Sequence, residues 1–137
     1  MDSRSKRLLG IRPEVGPSQF NNEMCFDERF QNRTLWPVIE MQMPLLTAAF
    51  QNYIAKHKDV FLELSVDKKL LYIERAIQKD IKFRNSLKGM VIGQFTLEEY
   101  IAYVSNSSAQ NTRMMNRVIE RLKDRLQLMA PVAALEH

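Results

Sequence analysis

The chain has 137 residues, of which 45% are hydrophobic and 26% charged, and its net charge is +4. This length allows one hydrophobic core, and this composition argues against wholesale disorder. No apolar run approaches the roughly 20 residues that a membrane span needs, so we expect no membrane insertion.

The N-terminal 17 residues are predicted to form an extended arm, because two glycines and two prolines interrupt them and their apolar residues lack a helical period. We expect this arm to lie on the domain or on a partner. Ser18 could cap a short helix after it. The sequence thus divides into an N-terminal region (1–33), a helical bundle domain (34–130) and a tail (131–137), whose last histidine is typical of a vector-encoded tag.

A helix is predicted over residues 35–57, where the apolar residues share one face. Thr34 could cap it, and Pro37 falls in its first turn, where a missing N–H costs little. Pro44 should kink this helix, but the apolar phase is the same on both sides of it, which favours one kinked helix over two. Residues 60–64 are predicted to form a short apolar link.

A second long helix is predicted over residues 66–88, with Ser65 as its cap and Gly89 as its stop. Asp80 and Arg84 lie four residues apart on its apolar side, where their side chains could meet. Five apolar residues at helical spacing form that side: Val66, Leu70, Ile73, Ile77 and Ile81.

Residues 90–95 form the only strand-like run. Because a lone strand has no partner, we interpret the run as a buried connection, unless it pairs across a dimer. Thr96 and Glu99 have the spacing of a capping box that opens a short helix, and a last helix is predicted over residues 109–129. We therefore expect an all-α protein, a four- or five-helix bundle with an extended N-terminal arm.

The Asp80/Arg84 pair is the first candidate site. Gln42 lies in the apolar stripe of the preceding helix and could join the pair in a polar core cluster. In one interpretation Arg84 binds an anion that Asp80 orients; in the other, the two form a structural buried ion pair. We favour the structural interpretation, because ion-pair networks often lack catalytic roles.

A candidate anion-binding surface is the second feature. Residues 66–88 carry seven Lys or Arg against three Asp or Glu. The surface would comprise eight basic residues on two helices: Lys68, Arg75, Lys79, Lys82, Arg113, Arg117, Arg121 and Arg125. Phosphate groups are bound by such side chains, but acidic residues lie among the arginines and no aromatic platform for bases is evident. We therefore favour an ordinary solvated face.

No catalytic, cofactor-binding or metal-ligating motif stands out in the sequence. His57 has no Glu or His at metal-ligand spacing, so we expect no metal and no cofactor. Cys25 is the only cysteine, which excludes an intramolecular disulfide and favours a reducing, cytoplasmic compartment. Because no obvious base accompanies this thiol, we expect it to be inert.

Three functions follow as hypotheses. We prefer a non-catalytic cytoplasmic protein, not an enzyme, that acts in regulation through protein–protein binding or self-association as a homodimer. The first alternative is nucleic-acid binding through the basic helices 66–88 and 109–129, with an affinity that falls steeply with salt. The second is a small-ligand or enzyme site around Gln42, Asp80 and Arg84, which requires a cavity beside the pair.

Overall fold

The regular structure of the protein is helical, as the sequence predicts. A computed structural model describes residues 1–14 and 25–126, and no β-strand occurs in these ranges. The helical elements are α1 (Ser3–Ile11), α2 (Phe26–Phe30), a π-helical segment (Gln31–Leu35), α3 (Trp36–Lys56), a 3-10 turn (Val60–Glu63), α4 (Val66–Lys79), α5 (Ile81–Ile92), α6 (Leu97–Val104) and α7 (Ser107–Asp124). The cap predicted at Ser18 and the tail at 131–137 lie outside the described residues.

Four of these helices form the main bundle. Helix α3 packs against α5 and α7, and α4 packs against the same two helices. Burial of apolar side chains between them is the main stabilising contribution, at about 1.5–3 kcal/mol for each large side chain. Fully buried examples are Leu46, Phe50, Ile77, Val91 and Leu122.

Residues 3–11 form a helix, so the predicted extended arm is wrong for this segment. Asp2 caps α1, because its carboxylate accepts a hydrogen bond from the backbone N–H of Ser5 at 2.8 Å. Arg4 and Arg12 donate hydrogen bonds to backbone carbonyls between α5 and α6. Helix α1 therefore lies on the domain, which is one of the two locations predicted for the arm.

Helix α3 is the last part of a continuous helical path that is longer than the predicted helix. In this path α2, the π-helical segment and α3 follow one another without a break. Pro37 has no backbone N–H, and the turn before it adopts π-helical spacing, in which the N–H of Trp36 donates to Gln31. Thr34, the predicted cap, is instead buried inside this path. The preference for one helix is confirmed, since α3 continues through Pro44.

The helix predicted over residues 66–88 is two helices, because the chain breaks at Asp80. The backbone of Asp80 is extended (φ −87°, ψ 97°), and its carboxylate caps α5 by accepting a hydrogen bond from the N–H of Phe83 at 3.2 Å. Aspartate is a favoured N-cap, because it satisfies an N–H that has no partner within the helix. Here that preference outweighs the helical period. Val66 and Ile81, at the two ends of the predicted stripe, are exposed.

The prediction that Gly89 ends the helix is also wrong. Helix α5 continues through Gly89 to Ile92, so the strand-like run at 90–95 is the end of α5 and the turn that follows. A Cβ atom at Gly93 would lie 3.0 Å from the carbonyl oxygen of Gly89, so a larger residue there would require a small shift of the backbone.

Helix α6 begins with the predicted capping box. The N–H of Glu99 donates to Thr96 Oγ1 at 3.1 Å, and the N–H of Thr96 donates to the Glu99 carboxylate at 2.8 Å. Helix α7 begins at Ser107, close to its predicted start. None of the helices in the described ranges combines the length and the apolarity that crossing a membrane requires.

Candidate functional site

A groove of about 870 Å³ lies between the end of α3, helix α4 and the start of α5; we name it the cationic groove. Its aliphatic and aromatic lining comes mostly from α4: Leu64, Leu71, Tyr72, Ala76 and Ile81. Its cations are four of the eight predicted anion-binding residues: Lys68, Arg75, Lys79 and Lys82. Tyr53, His57 and Asp80 complete it. The groove thus joins an apolar surface to a cluster of positive charge.

The cations of the groove form a row along α4. Lys68, Arg75 and Lys79 occupy helix positions i, i+7 and i+11, which share one face. At a rise of 1.5 Å per residue, the row is about 16 Å long, and Lys82 extends it beyond the break. Among the described residues, no ion pair includes any of these four cations. Their charge is therefore available to an anionic ligand.

An aromatic cluster supports the groove from below. Fully buried Phe50 contacts four other rings at centroid distances of 5.5 to 6.2 Å: Tyr53, Phe61, Tyr72 and Phe83. The ring of Tyr53 stacks on His57 at 4.0 Å and on Phe83 at 4.2 Å. Because two rings stacked this closely must lie on opposite sides, both faces of Tyr53 are occupied within the protein.

Asp80 is the only carboxylate among the described residues that line the groove. Its two oxygens are both engaged, since Tyr53 Oη donates to one at 3.2 Å and the N–H of Phe83 donates to the other at 3.2 Å. Burial raises the pKa of Tyr53 to about 12, and the negative charge of Asp80 contributes to this increase. Asp80 is therefore a helix cap that orients Tyr53, rather than a counter-ion for the cations.

Replacing Asp80 with Asn is expected to lower the pKa of Tyr53 below about 12, because the negative charge is removed. Burial should still hold this pKa above the ordinary value of 10.0, and the amide oxygen of Asn can still cap α5. An NMR titration with labelled tyrosine measures the change. Asp67→Asn, on the exposed first turn of α4, is the control. An unchanged Tyr53 pKa in the Asp80 variant would contradict the hydrogen bond.

The other half of the predicted anion-binding surface, on α7, does not join the groove. Three of its arginines form ion pairs: Arg113 with Asp27, Arg117 with Glu120, and Arg121 with Glu40 and Asp124. Hydrogen bonding to Glu40 raises the pKa of Arg121 above its ordinary value. Arg125 lies at the C-terminal end of α7, away from the groove lining. The predicted surface is thus divided, and the α4–α5 half keeps its cations unpaired.

The structure does not bring the predicted polar core cluster together. Gln42 Nε2 donates to the carbonyl of Met90 at 2.8 Å, and no ion pair joins Asp80 to Arg84 in the described part of the chain. The break explains this separation: Asp80 caps α5 and lacks a helical backbone, so the i, i+4 geometry of a continuous helix is lost. Arg84 instead lines a separate pocket against α7.

Sequence reasoning identified Glu99 only as a capping residue, but Glu99 is also the centre of a buried network. Its carboxylate accepts hydrogen bonds from Arg12 at 2.5 and 2.9 Å and from the hydroxyl of Thr34 at 2.7 Å. Burial alone would raise the pKa of Glu99, but hydrogen bonds from Arg12, Thr96 and Thr34 hold it below 4.5. The network joins α1, the π-helical segment and α6. Only the capping spacing was visible in the sequence.

The described residues contain no group of three or more His, Cys, Asp or Glu arranged to hold a metal ion. Cys25 is a free, exposed thiol. Comparison of the chain with protein-family models, curated proteins and solved structures gave no match. The function must therefore be inferred from the shape and charge of the cationic groove.

Proposed function

We propose that this protein is a non-catalytic, regulatory binding protein and that an acidic, apolar segment of a partner protein binds in its cationic groove. The observation that carries this proposal is the row of four unpaired cations along an apolar surface. A purely anionic ligand would leave Leu71 and Ile81 in water, where they are 41% and 68% exposed. A purely apolar ligand would leave the cations without partners. A segment carrying both kinds of side chain complements the groove.

The length of the cation row defines the segment further. A row of about 16 Å matches three turns of a helix. A partner helix lying along α4 with acidic residues at positions i, i+7 and i+11 would place one carboxylate near each of Lys68, Arg75 and Lys79. Apolar residues at the intervening positions of the same face would contact Leu71 and Ile81. This is the helix-in-groove mode of peptide recognition.

Nucleic-acid binding is the competing function, because a row of cations can also contact phosphates. Proteins that bind single strands stack the bases on free aromatic faces, whereas of the two tyrosines that line the groove, Tyr53 has both faces covered by His57 and Phe83. In addition, three of the α7 arginines that a broader phosphate-binding surface would need are paired with carboxylates. Both features support a protein segment as the ligand.

A cytoplasmic location is part of the proposal. Cys25 is a free and exposed thiol, and such a thiol persists best in a reducing compartment. The partner is accordingly expected to be a cytoplasmic protein.

The proposal is tested by selecting a displayed random peptide library on the protein and measuring the affinity of the selected peptides. We expect sequences that combine acidic and apolar residues at helical spacing. The double variant Lys68→Glu/Lys79→Glu should weaken their binding at least tenfold, or about 1.4 kcal/mol. Both side chains are exposed, so the stability of the variant should change by no more than about 0.5 kcal/mol.

The matched control is Lys6→Glu/Arg7→Glu, which makes the same charge change on the exposed side of α1 and should leave the affinity within about twofold. Peptides without acidic residues, or equal binding to both double variants, would overturn the proposal. Binding of a single-stranded oligonucleotide that requires Lys68 and Lys79 and falls steeply with salt would favour the nucleic-acid alternative instead. If the chain self-associates and this association prevents the selected peptides from binding, the occupant of the groove is a second copy of the chain.

A further inference from the structure

A second, smaller pocket lies on the opposite side of the last turn of α4 from the cationic groove. Its volume is about 240 Å³, and it opens to solvent between α4, α5 and α7. Its polar lining consists of one cation and five uncharged side chains that can donate or accept hydrogen bonds: Arg84, Gln78, Ser108, Asn111, Thr112 and Asn116. The described residues that line this pocket include no carboxylate.

Arg84 is the one cation among the described residues that line this pocket. Arg84 is half-buried in the first turn of α5, and no ion pair includes it in the described ranges. Its guanidinium is therefore free to bind an anion, and the fork of N–H donors fits the oxygens of a carboxylate or a phosphate. Asn111 is already engaged, since its Oδ1 accepts a hydrogen bond from Tyr103 at 2.5 Å; its amide N–H₂ group is thereby directed away from Tyr103.

We propose that this pocket binds a small organic oxyanion, either a phosphate monoester or a carboxylate, with Arg84 as its counter-ion. The neighbouring amide and hydroxyl groups would donate to the remaining oxygens of the anion and to hydroxyl groups of the ligand. The volume of about 240 Å³ is below the roughly 300–1,000 Å³ of sites for drug-sized molecules, which restricts the ligand to small compounds. Ile77, Met115 and Ile119 supply an apolar side for its carbon atoms.

This site is independent of the proposed protein-binding function. The two sites use different faces of α4, and the described residues that line them do not overlap. A ligand that contacts Gln78 on α4, Arg84 on α5 and Asn116 on α7 would connect three helices. A ligand that binds the folded state and not the unfolded state raises the melting temperature. Well above the Kd, the stabilisation grows with the logarithm of the ligand concentration.

The test uses three probes on the full chain: inorganic phosphate, 3-phosphoglycerate and acetate, each titrated to about 20 mM at constant ionic strength and followed by melting temperature and by NMR. We expect saturable binding, tightest for 3-phosphoglycerate, with perturbed backbone signals at Arg84 and Ser108. Tighter binding of phosphate than of acetate would assign the anion as a phosphate, and the reverse order would assign it as a carboxylate.

Arg84→Met should weaken this binding at least tenfold, whereas Arg75→Met, which removes an arginine from the cationic groove, should leave it unchanged. Ser108→Glu provides a second variant, because it adds a carboxylate to the pocket lining that includes Arg84 and should block the probes while the fold is retained. Absence of saturable binding, or equal binding to the Arg84 and Arg75 variants, would overturn the proposal. The Lys68→Glu/Lys79→Glu variant should still bind the probes, so failure of the groove proposal and failure of this one are distinguishable.

Discussion

Replacing Glu99 with Gln is expected to lower the free energy of unfolding by about 3 kcal/mol at pH 7, measured by urea denaturation. The substitution keeps the shape of the side chain but removes the negative charge that faces Arg12. The side chain of Arg12 is only 5% exposed, so the variant leaves a buried cation without a counter-ion. Because Glu99 is 16% exposed, we expect the lower end of the range of about 3–5 kcal/mol for breaking a buried pair.

The pH dependence of stability provides a second readout for Glu99. Its pKa in the folded protein lies below the ordinary value of 4.5, so ionisation of this carboxyl favours the folded state. This stabilisation is complete above the unfolded pKa and is lost as the pH falls through the folded pKa. Acidification below about pH 4.5 should therefore destabilise the wild type more than the Gln variant.

Glu98→Gln is the matched control for this prediction, because it makes the same change at the neighbouring, exposed position. It should alter stability by no more than about 0.5 kcal/mol. Equal stability of the two variants, or an equal response to acid, would show that Arg12 and Glu99 do not form the buried network in solution.

Phe50→Ala is expected to cost about 3–5 kcal/mol, the range for removing a large buried aromatic side chain. Phe50 is fully buried and contacts four other aromatic rings, two of which, Tyr53 and Tyr72, line the cationic groove. The loss combines transfer of the ring to water on unfolding with the cavity that remains in the folded state. Chemical denaturation measures it.

Phe26→Ala is the control for this second prediction, because it removes the same ring from a position that is 45% exposed. Its cost should be about 1 kcal/mol or less, since among the described residues the ring of Phe26 contacts one other aromatic ring, that of Phe30 at 6.2 Å. A cost for Phe50→Ala as small as that of the control would show that the aromatic cluster does not support the groove.

Local sequence patterns predicted those parts of the fold that depend on neighbouring residues. The capping box of Thr96 and Glu99 and the cap at Ser65 are confirmed, because each involves hydrogen bonds within a few residues. At Asp80 two local signals competed, a helical period and an N-cap preference, and the sequence offered no means of weighing them. The N-terminal helix was missed because the interpretation rested on the glycines and prolines of residues 1–17, of which only Gly10 lies within Ser3–Ile11, and did not consider Asp2 as a cap.

The candidate site could be predicted only in part, because pairing across helices is not local. Lys68, Arg75, Lys79 and Lys82 were predicted as half of a larger basic surface, and the structure places them in one groove. Some cations pair within their own helix, as Arg117 does with Glu120, but others pair across helices: Arg121 contacts Glu40 across 81 positions of the chain, and Arg12 contacts Glu99 across 87. No spacing in the sequence indicates such contacts.

The most direct test of the groove is an NMR titration of the isotope-labelled protein with a selected acidic peptide. We expect the largest backbone shifts at residues that line the groove, with Leu71, Arg75 and Ile81 among them, and a smaller response in the Lys68→Glu/Lys79→Glu variant. The contrary result would be shifts confined to another surface while α4 is unchanged. Shifts confined to the exposed apolar face of α6, which includes Tyr100 and Ile101, would show that the peptide binds there instead of in the groove.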